Sequence, residues 1–167
     1  MIIRNALQSE HEIIRELRLQ AYEEHSTKIP QEHWNALKHQ IVTDDHTNPD
    51  IEYIVAEIDG EILGTVVLFP AKIQGYEGLV EDKLEYPELR KLAVSSKARG
   101  KGVAKALVKE CIKRSKEKGY SAMGLHTSDF MESAVNLYEK MGFVRVPGKD
   151  FIPLDDGIVV KAFQINF

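Results

Sequence analysis

The 167-residue sequence contains a single cysteine, Cys111, a single tryptophan, Trp34, and no unbroken apolar run long enough to cross a bilayer. One cysteine cannot close an internal disulfide, which fits a reducing compartment. Met1-Ile2-Ile3 is interrupted at once by Arg4, too short for a signal peptide, and charges break every later hydrophobic stretch. A cytoplasmic protein with no membrane partner is therefore expected. Charge of one sign is also scarce: 22 basic against 26 acidic side chains leave a net charge of -4, with no general attraction for nucleic acid. Any polyanion must be held locally. At 43% hydrophobic, the chain carries enough apolar material for a single domain spanning residues 1–167.

The periodicity along the chain predicts a mixed α/β architecture. Met1 to Ala6 reads as a strand, and Gln8 to Glu24 as a helix with Ile13, Ile14, Leu17 and Ala21 on one face. A second helix follows Pro30 and carries His33 and Trp34, read as a short cover over the site. Ile51 to Ile58 and Glu61 to Phe69 flank Asp59-Gly60, a two-residue hairpin turn. Pro70 to Asp82 lacks periodicity and reads as a loop, then Leu84 to Val94 as a strand. Lys101 to Lys118 is helical, with Ala104, Leu107, Val108, Cys111 and Ser115 as its buried stripe and Gly119 at its end. A short strand (121–126), an amphipathic helix (130–141) with Ser128 or Asp129 as its cap, and strands at 143–146 and 158–165 complete the order.

Chemistry concentrates between the strand ending at Val94 and the following helix, in Arg99-Gly100-Lys101-Gly102-Val103-Ala104-Lys105. Two glycines let the backbone approach a ligand, and a helix N-terminus offers unpaired N–H groups and partial positive charge to a phosphate. Lys97, Arg99, Lys101 and Lys105 reinforce that charge. The spacing is wrong for a Walker A loop, because Val103-Ala104 follows Gly102 where Lys-Ser/Thr is required. It is also wrong for a dinucleotide fingerprint, which needs glycine or alanine where Lys105 stands.

The run from Arg99 to Ala104 resembles the acetyl-CoA signature of the GCN5-related N-acetyltransferase (GNAT) superfamily. The similarity extends to Leu92-Ala93-Val94 upstream and to Leu137-Tyr138-Glu139-Lys140-Met141-Gly142-Phe143 downstream. It implies the GNAT fold, a central, mostly antiparallel sheet flanked by helices, and an acyltransferase that moves acetyl from acetyl-CoA to a primary amine by direct attack. By position, Leu92, Ala93 and Val94 would pair with the pantetheine arm, and the Val94 N–H would polarise the thioester carbonyl. The backbone from Arg99 to Lys105 would hold the pyrophosphate. An alkylammonium must lose a proton before it attacks, and Glu88 matches the position of a glutamate base in several relatives. Strand alternation puts Glu88 on the face of Val94 only in the absence of a bulge. Tyr138 matches the tyrosine that protonates the leaving thiolate in many relatives.

One departure stands out: Met131 occupies a position where relatives often carry a cofactor-bonding asparagine. It keeps open a second reading, a CoA-binding sensor or interaction module without catalysis. No metal is expected, since His25, His33, His39 and His46 lack any ligand spacing, and Cys111 falls in the helix stripe as a core residue. His126-Thr127-Ser128-Asp129 brings a histidine, hydroxyls and an acid together, but sequence proximity is not triad geometry. The acceptor, a small-molecule or peptide amine, is expected to meet His33, Trp34 and the loop with Glu77, Glu81, Asp82 and Glu85. The β-branched run Ile158-Val159-Val160 invites pairing across a homodimer.

Overall fold

The computed structural model describes residues 1–72 and 84–167. Most of the loop read between Pro70 and Asp82, with Glu77, Glu81 and Asp82, lies outside the described residues. The chain divides into two compact units, Met1–Leu68 with Leu89–Cys111, and Phe69–Glu88 with Ile112–Phe167. Helices and strands alternate in both, giving the mixed α/β class that the periodicity predicts.

The first unit orders its strands β1 (Ile2–Asn5), β2 (Glu52–Ile58), β3 (Glu61–Phe69) and β4 (Glu88–Val94). β1–β2 and β2–β3 are antiparallel. Asp59 and Gly60 both adopt positive φ, 51° and 80°, the type I′ geometry whose twist matches its flanking strands, and Ile58 pairs with Glu61 across it. Six successive residues of β3, Leu63 to Leu68, are buried, the pattern of a strand covered on both faces. Helices α1 (His11–Glu23) and α2 (Gln31–Val42) pack together. The α1 stripe differs from the predicted one: Ile14, Leu17, His11 and Arg18 are buried, whereas Ile13 is 54% exposed.

Helix α3 (Val103–Glu117) buries Val103, Leu107, Val108, Cys111 and Ser115, so Val103 joins the expected stripe and Ala104 is half-buried. Full burial of each such leucine or valine contributes about 1.5–3 kcal/mol. The helix approaches β3 closely at Gly64, where an added Cβ would stand 2.5 Å from Val103 Cγ1 and 3.0 Å from Leu107 Cδ1.

The second unit pairs β5 (Ala122–Ser128) with β7 (Val160–Asn166), and β7 with β6 (Val144–Arg145), all antiparallel. β7 therefore lies between two strands. Val160, expected at a free edge suited to a homodimer, faces Ser128 on one side and bridges Phe151 on the other. Helix α4 (Glu132–Lys140) has Met131 at its N-cap position, with no side-chain cap, rather than Ser128 or Asp129. Ser128 is buried at the end of β5, and the Asp129 carboxylate accepts from the Val159 N–H. Among the described residues, no helix is long and apolar enough to cross a membrane.

Candidate active site

In the first unit the glycine-rich turn begins with Ser95, whose hydroxyl accepts from the Lys97 N–H and caps a short 3-10 turn over Ser96–Ala98. Gly100 and Gly102 then adopt φ of 77° and 75° with open space around both. Glycine is required there by backbone conformation, not by crowding. The Ala106 N–H donates to the Gly102 carbonyl as α3 starts. The amides of Val103, Ala104 and Lys105 precede that bond and belong to the first turn, where helical N–H groups lack intrahelical acceptors. Arg99, Lys101 and Lys105 are exposed around it, Arg99 pairing with Glu24 and Lys97 with Glu61 at 3.0 Å. An anion placed here meets both amides and cations.

Immediately upstream, Lys91 carries φ of 55° inside β4. A left-handed residue breaks the period of two, so alternation does not place Glu88 and Val94 on one face, as it would in a regular strand. The kink is tied down by charge. Lys91 Nζ donates to the Thr43 carbonyl and pairs with Asp44 Oδ1 at 3.2 Å, while Arg18 Nη1 contacts both Asp44 oxygens at 2.9 Å. The Arg18 and Asp44 side chains are 0% and 1% exposed. Burial pushes the Asp44 carboxyl up, but Arg18 and Lys91 outweigh it and hold the group below its usual range. Donor atoms of His11, Asp44 and His46 also lie within 4.8 Å of one another. A dication there would meet the two cations already on Asp44, so repulsion opposes it.

The second unit holds Glu88, 1% exposed, where 38 residues of sequence separation bring in His126 from β5. Glu88 Oε1 and His126 Nδ1 are 2.5 Å apart, and His126 Nε2 is 3.0 Å from the Lys149 carbonyl oxygen. Tyr86 packs on β5 at Gly124, where a Cβ would lie 2.5 Å from the edge of the ring at Cε2. Its hydroxyl donates to Gln164 and accepts from Lys149 Nζ. Tyr86, Glu88, Gly124, His126 and Lys149 line a cavity of about 10 Å³, room for one water-sized molecule. His126 was legible only as part of the His126 to Asp129 cluster, and nothing in the spacing pairs it with Glu88.

Tyr138 is buried, its ring edge-on to Phe143 at 5.6 Å. Met131 presents its sulfur to the Thr127 hydroxyl at 3.6 Å. His33 and Trp34, expected to meet the acceptor, are 4% and 7% exposed and belong to the core of the first unit.

The family model described as the acetyltransferase (GNAT) family matches residues 11–143. The chain belongs to the GNAT family. Its GNAT relatives include a probable N-acetyltransferase family 8 member 5 from Mus musculus, 38% identical over 104 residues, 62% of this chain and 43% of the relative. N-acetyltransferase family 8 member 2 from Rattus norvegicus is 35% identical over 129 residues, 75% of this chain and 53% of that one. The chain thus spans about half the length of the curated relatives it matches. Among solved structures, a ribosomal-protein-alanine N-acetyltransferase from Brucella melitensis has the same fold, with a TM-score of 0.69 at 18% identity over 100% of both chains. A histone acetyltransferase HPA2 and related acetyltransferase from Corynebacterium glutamicum gives a TM-score of 0.68 at 23% identity, covering 97% of this chain and 93% of that one.

Proposed function

We propose that the protein, working as one domain, transfers acetyl from acetyl-CoA to a primary amine of a small molecule or peptide. The observation that carries this reading is the turn at Gly100 and Gly102: two left-handed glycines, a helix start and exposed cations in a chain that belongs to the GNAT family. The main-chain groups from Arg99 to Lys105 would take the pyrophosphate, and those of Leu92, Ala93 and Val94 the pantetheine arm and thioester. With acetyl-CoA bound, the thioester supplies the electrophile, and the Val94 N–H stabilises the oxyanion formed when the amine attacks.

Glu88 takes the proton that the ammonium must lose, directly or through one water in the cavity beside it. Tyr138 returns a proton to the departing CoA thiolate. Met131 leaves the cofactor with one polar contact fewer than many relatives have, which lowers affinity without touching the reacting atoms.

Thermal denaturation with acetyl-CoA, NADH and ATP tests the cofactor. Acetyl-CoA alone stabilises the fold, by about 2.7 kcal/mol at a hundred times its dissociation constant. CoA release with a panel of amines then tests turnover, which falls about 100-fold or more in Glu88→Gln and Tyr138→Phe. Stabilisation by acetyl-CoA with no turnover on any amine would favour the non-catalytic CoA-binding reading.

A further inference from the structure

The Glu88–His126 contact fixes a proton count. The Lys149 carbonyl can only accept, so His126 Nε2 must carry a hydrogen to meet it at 3.0 Å. At 2.5 Å, Nδ1 and Glu88 Oε1 cannot both present lone pairs, so a second proton lies between them. We propose that this proton resides on His126, making it an imidazolium that holds Glu88 as a carboxylate and aims it: a positioning residue for the base. This rests on the acetyl transfer proposed above.

Two features place the proton on the ring. An ordinary imidazole is more basic than an ordinary glutamate by about two pKa units, which favours charge separation across the contact. The Lys149 carbonyl then accepts from a cationic donor, a stronger bond than a neutral ring would give.

Described groups beside the pair have partners of their own. Lys149 Nζ is turned onto Tyr86, 4.7 Å from the ring centroid, and Arg145 is engaged bidentately by Asp150 at 2.7 and 2.5 Å. Phe151 covers the imidazole, with ring centroids 5.4 Å apart. The Lys149 carbonyl is itself fixed, because its own N–H donates to Val146 and Asp150 accepts from the Ala162 N–H.

The proton balance follows. The pair starts neutral, carboxylate with imidazolium. The ammonium gives one proton to the Glu88 carboxylate, and the pair becomes a carboxylic acid beside the imidazolium. His126 cannot pass a proton onward through Nε2, since a carbonyl does not take one. It steers and stabilises the carboxylate, and the proton leaves by the way it came.

Long-range proton–nitrogen spectra of the uniformly 15N-labelled full chain read the ring directly, with His126→Asn providing the assignment. Both nitrogens of His126 are expected to be protonated at pH 7, and Nδ1 to lose its proton at that pH in Glu88→Gln. An Nδ1 without a proton in the wild type overturns the proposal, whether or not the enzyme turns over. The kinetic arm compares kcat/KM against pH. His126→Asn keeps a donor at the Nδ1 position but cannot carry charge. It should move the acid limb up by about one pH unit or more, with the KM for acetyl-CoA unchanged, whereas His126→Phe should lose about 100-fold in kcat. A His126→Asn profile superimposable on the wild type also overturns it. Failure of every amine to release CoA would strike the acetyl-transfer reading and leave the spectra to decide the pair.

Discussion

Asp44→Asn is the substitution from which the fold should suffer most per atom changed. It replaces one oxygen by nitrogen and removes the charge opposite Arg18, whose side chain is 0% exposed and whose Nε and Nη2 have no hydrogen-bond partner among the described residues. The buried guanidinium would keep only the Ile41 carbonyl at 3.2 Å and a neutral amide. Breaking a buried pair from one side costs about 3–5 kcal/mol, a large part of the roughly 5–15 kcal/mol that holds a domain folded. At about 2–4 °C per kcal/mol for a chain of this size, the midpoint should fall by roughly 6–20 °C. Urea titration and calorimetry of Asp44→Asn, Arg18→Met and the double variant measure it. The double variant should lose less than the sum of the singles, because it leaves no buried guanidinium without its carboxylate and strands only Lys91, which keeps the Thr43 carbonyl. The sign with pH follows from a folded-state pKa below the unfolded one. The stabilisation is complete above the ordinary aspartate range, and it is lost as pH falls through the depressed value. A loss under about 1 kcal/mol, or strict additivity in the cycle, would refute the reasoning.

Gly64→Ala forces a methyl against the stiff Val103 side chain and should cost about 1–3 kcal/mol in urea unfolding, with α3 displaced from β3. Gly102→Val puts a β-branched residue at φ of 75°; a loss of about 1–2 kcal/mol or more in stability, together with loss of the acetyl-CoA thermal shift, is expected from calorimetry. Asp150→Asn removes the carboxylate that fixes Arg145 and the Ala162 amide. Stability at pH 7 should drop by about 1 kcal/mol, and the difference from wild type should shrink as pH falls through the depressed Asp150 value.

The hairpin at Asp59-Gly60 and the glycine turn were legible because each depends on backbone conformations that few residue types supply. The α3 stripe was legible through its spacing. Residues whose role is set by distant partners were not. His33 and Trp34 read as acceptor contacts, yet both are buried, because helical periodicity does not say which face is packed. Lys91 read as an ordinary strand residue, since a positive φ on lysine has no local signal. Glu88 was singled out by its distance from Val94, yet the feature that defines its surroundings, His126 on another strand, leaves no trace in spacing. Arg18 and Asp44 were invisible for the same reason, 26 residues apart and neither in a motif.

The bend in β4 has a consequence for the order in which the molecule forms. A glycine would bend on its own; a lysine in the left-handed region is held there by Asp44 and the Thr43 carbonyl, and the Asp44 contact spans 47 residues of chain. An isolated peptide of this strand should therefore run straight. The kink can appear only once the end of α2 has docked, so the strand proposed to receive the thioester acquires its final shape late in folding. In amide exchange, Leu92 and Ala93 would open together with Asp44, and apart from β2 and β3.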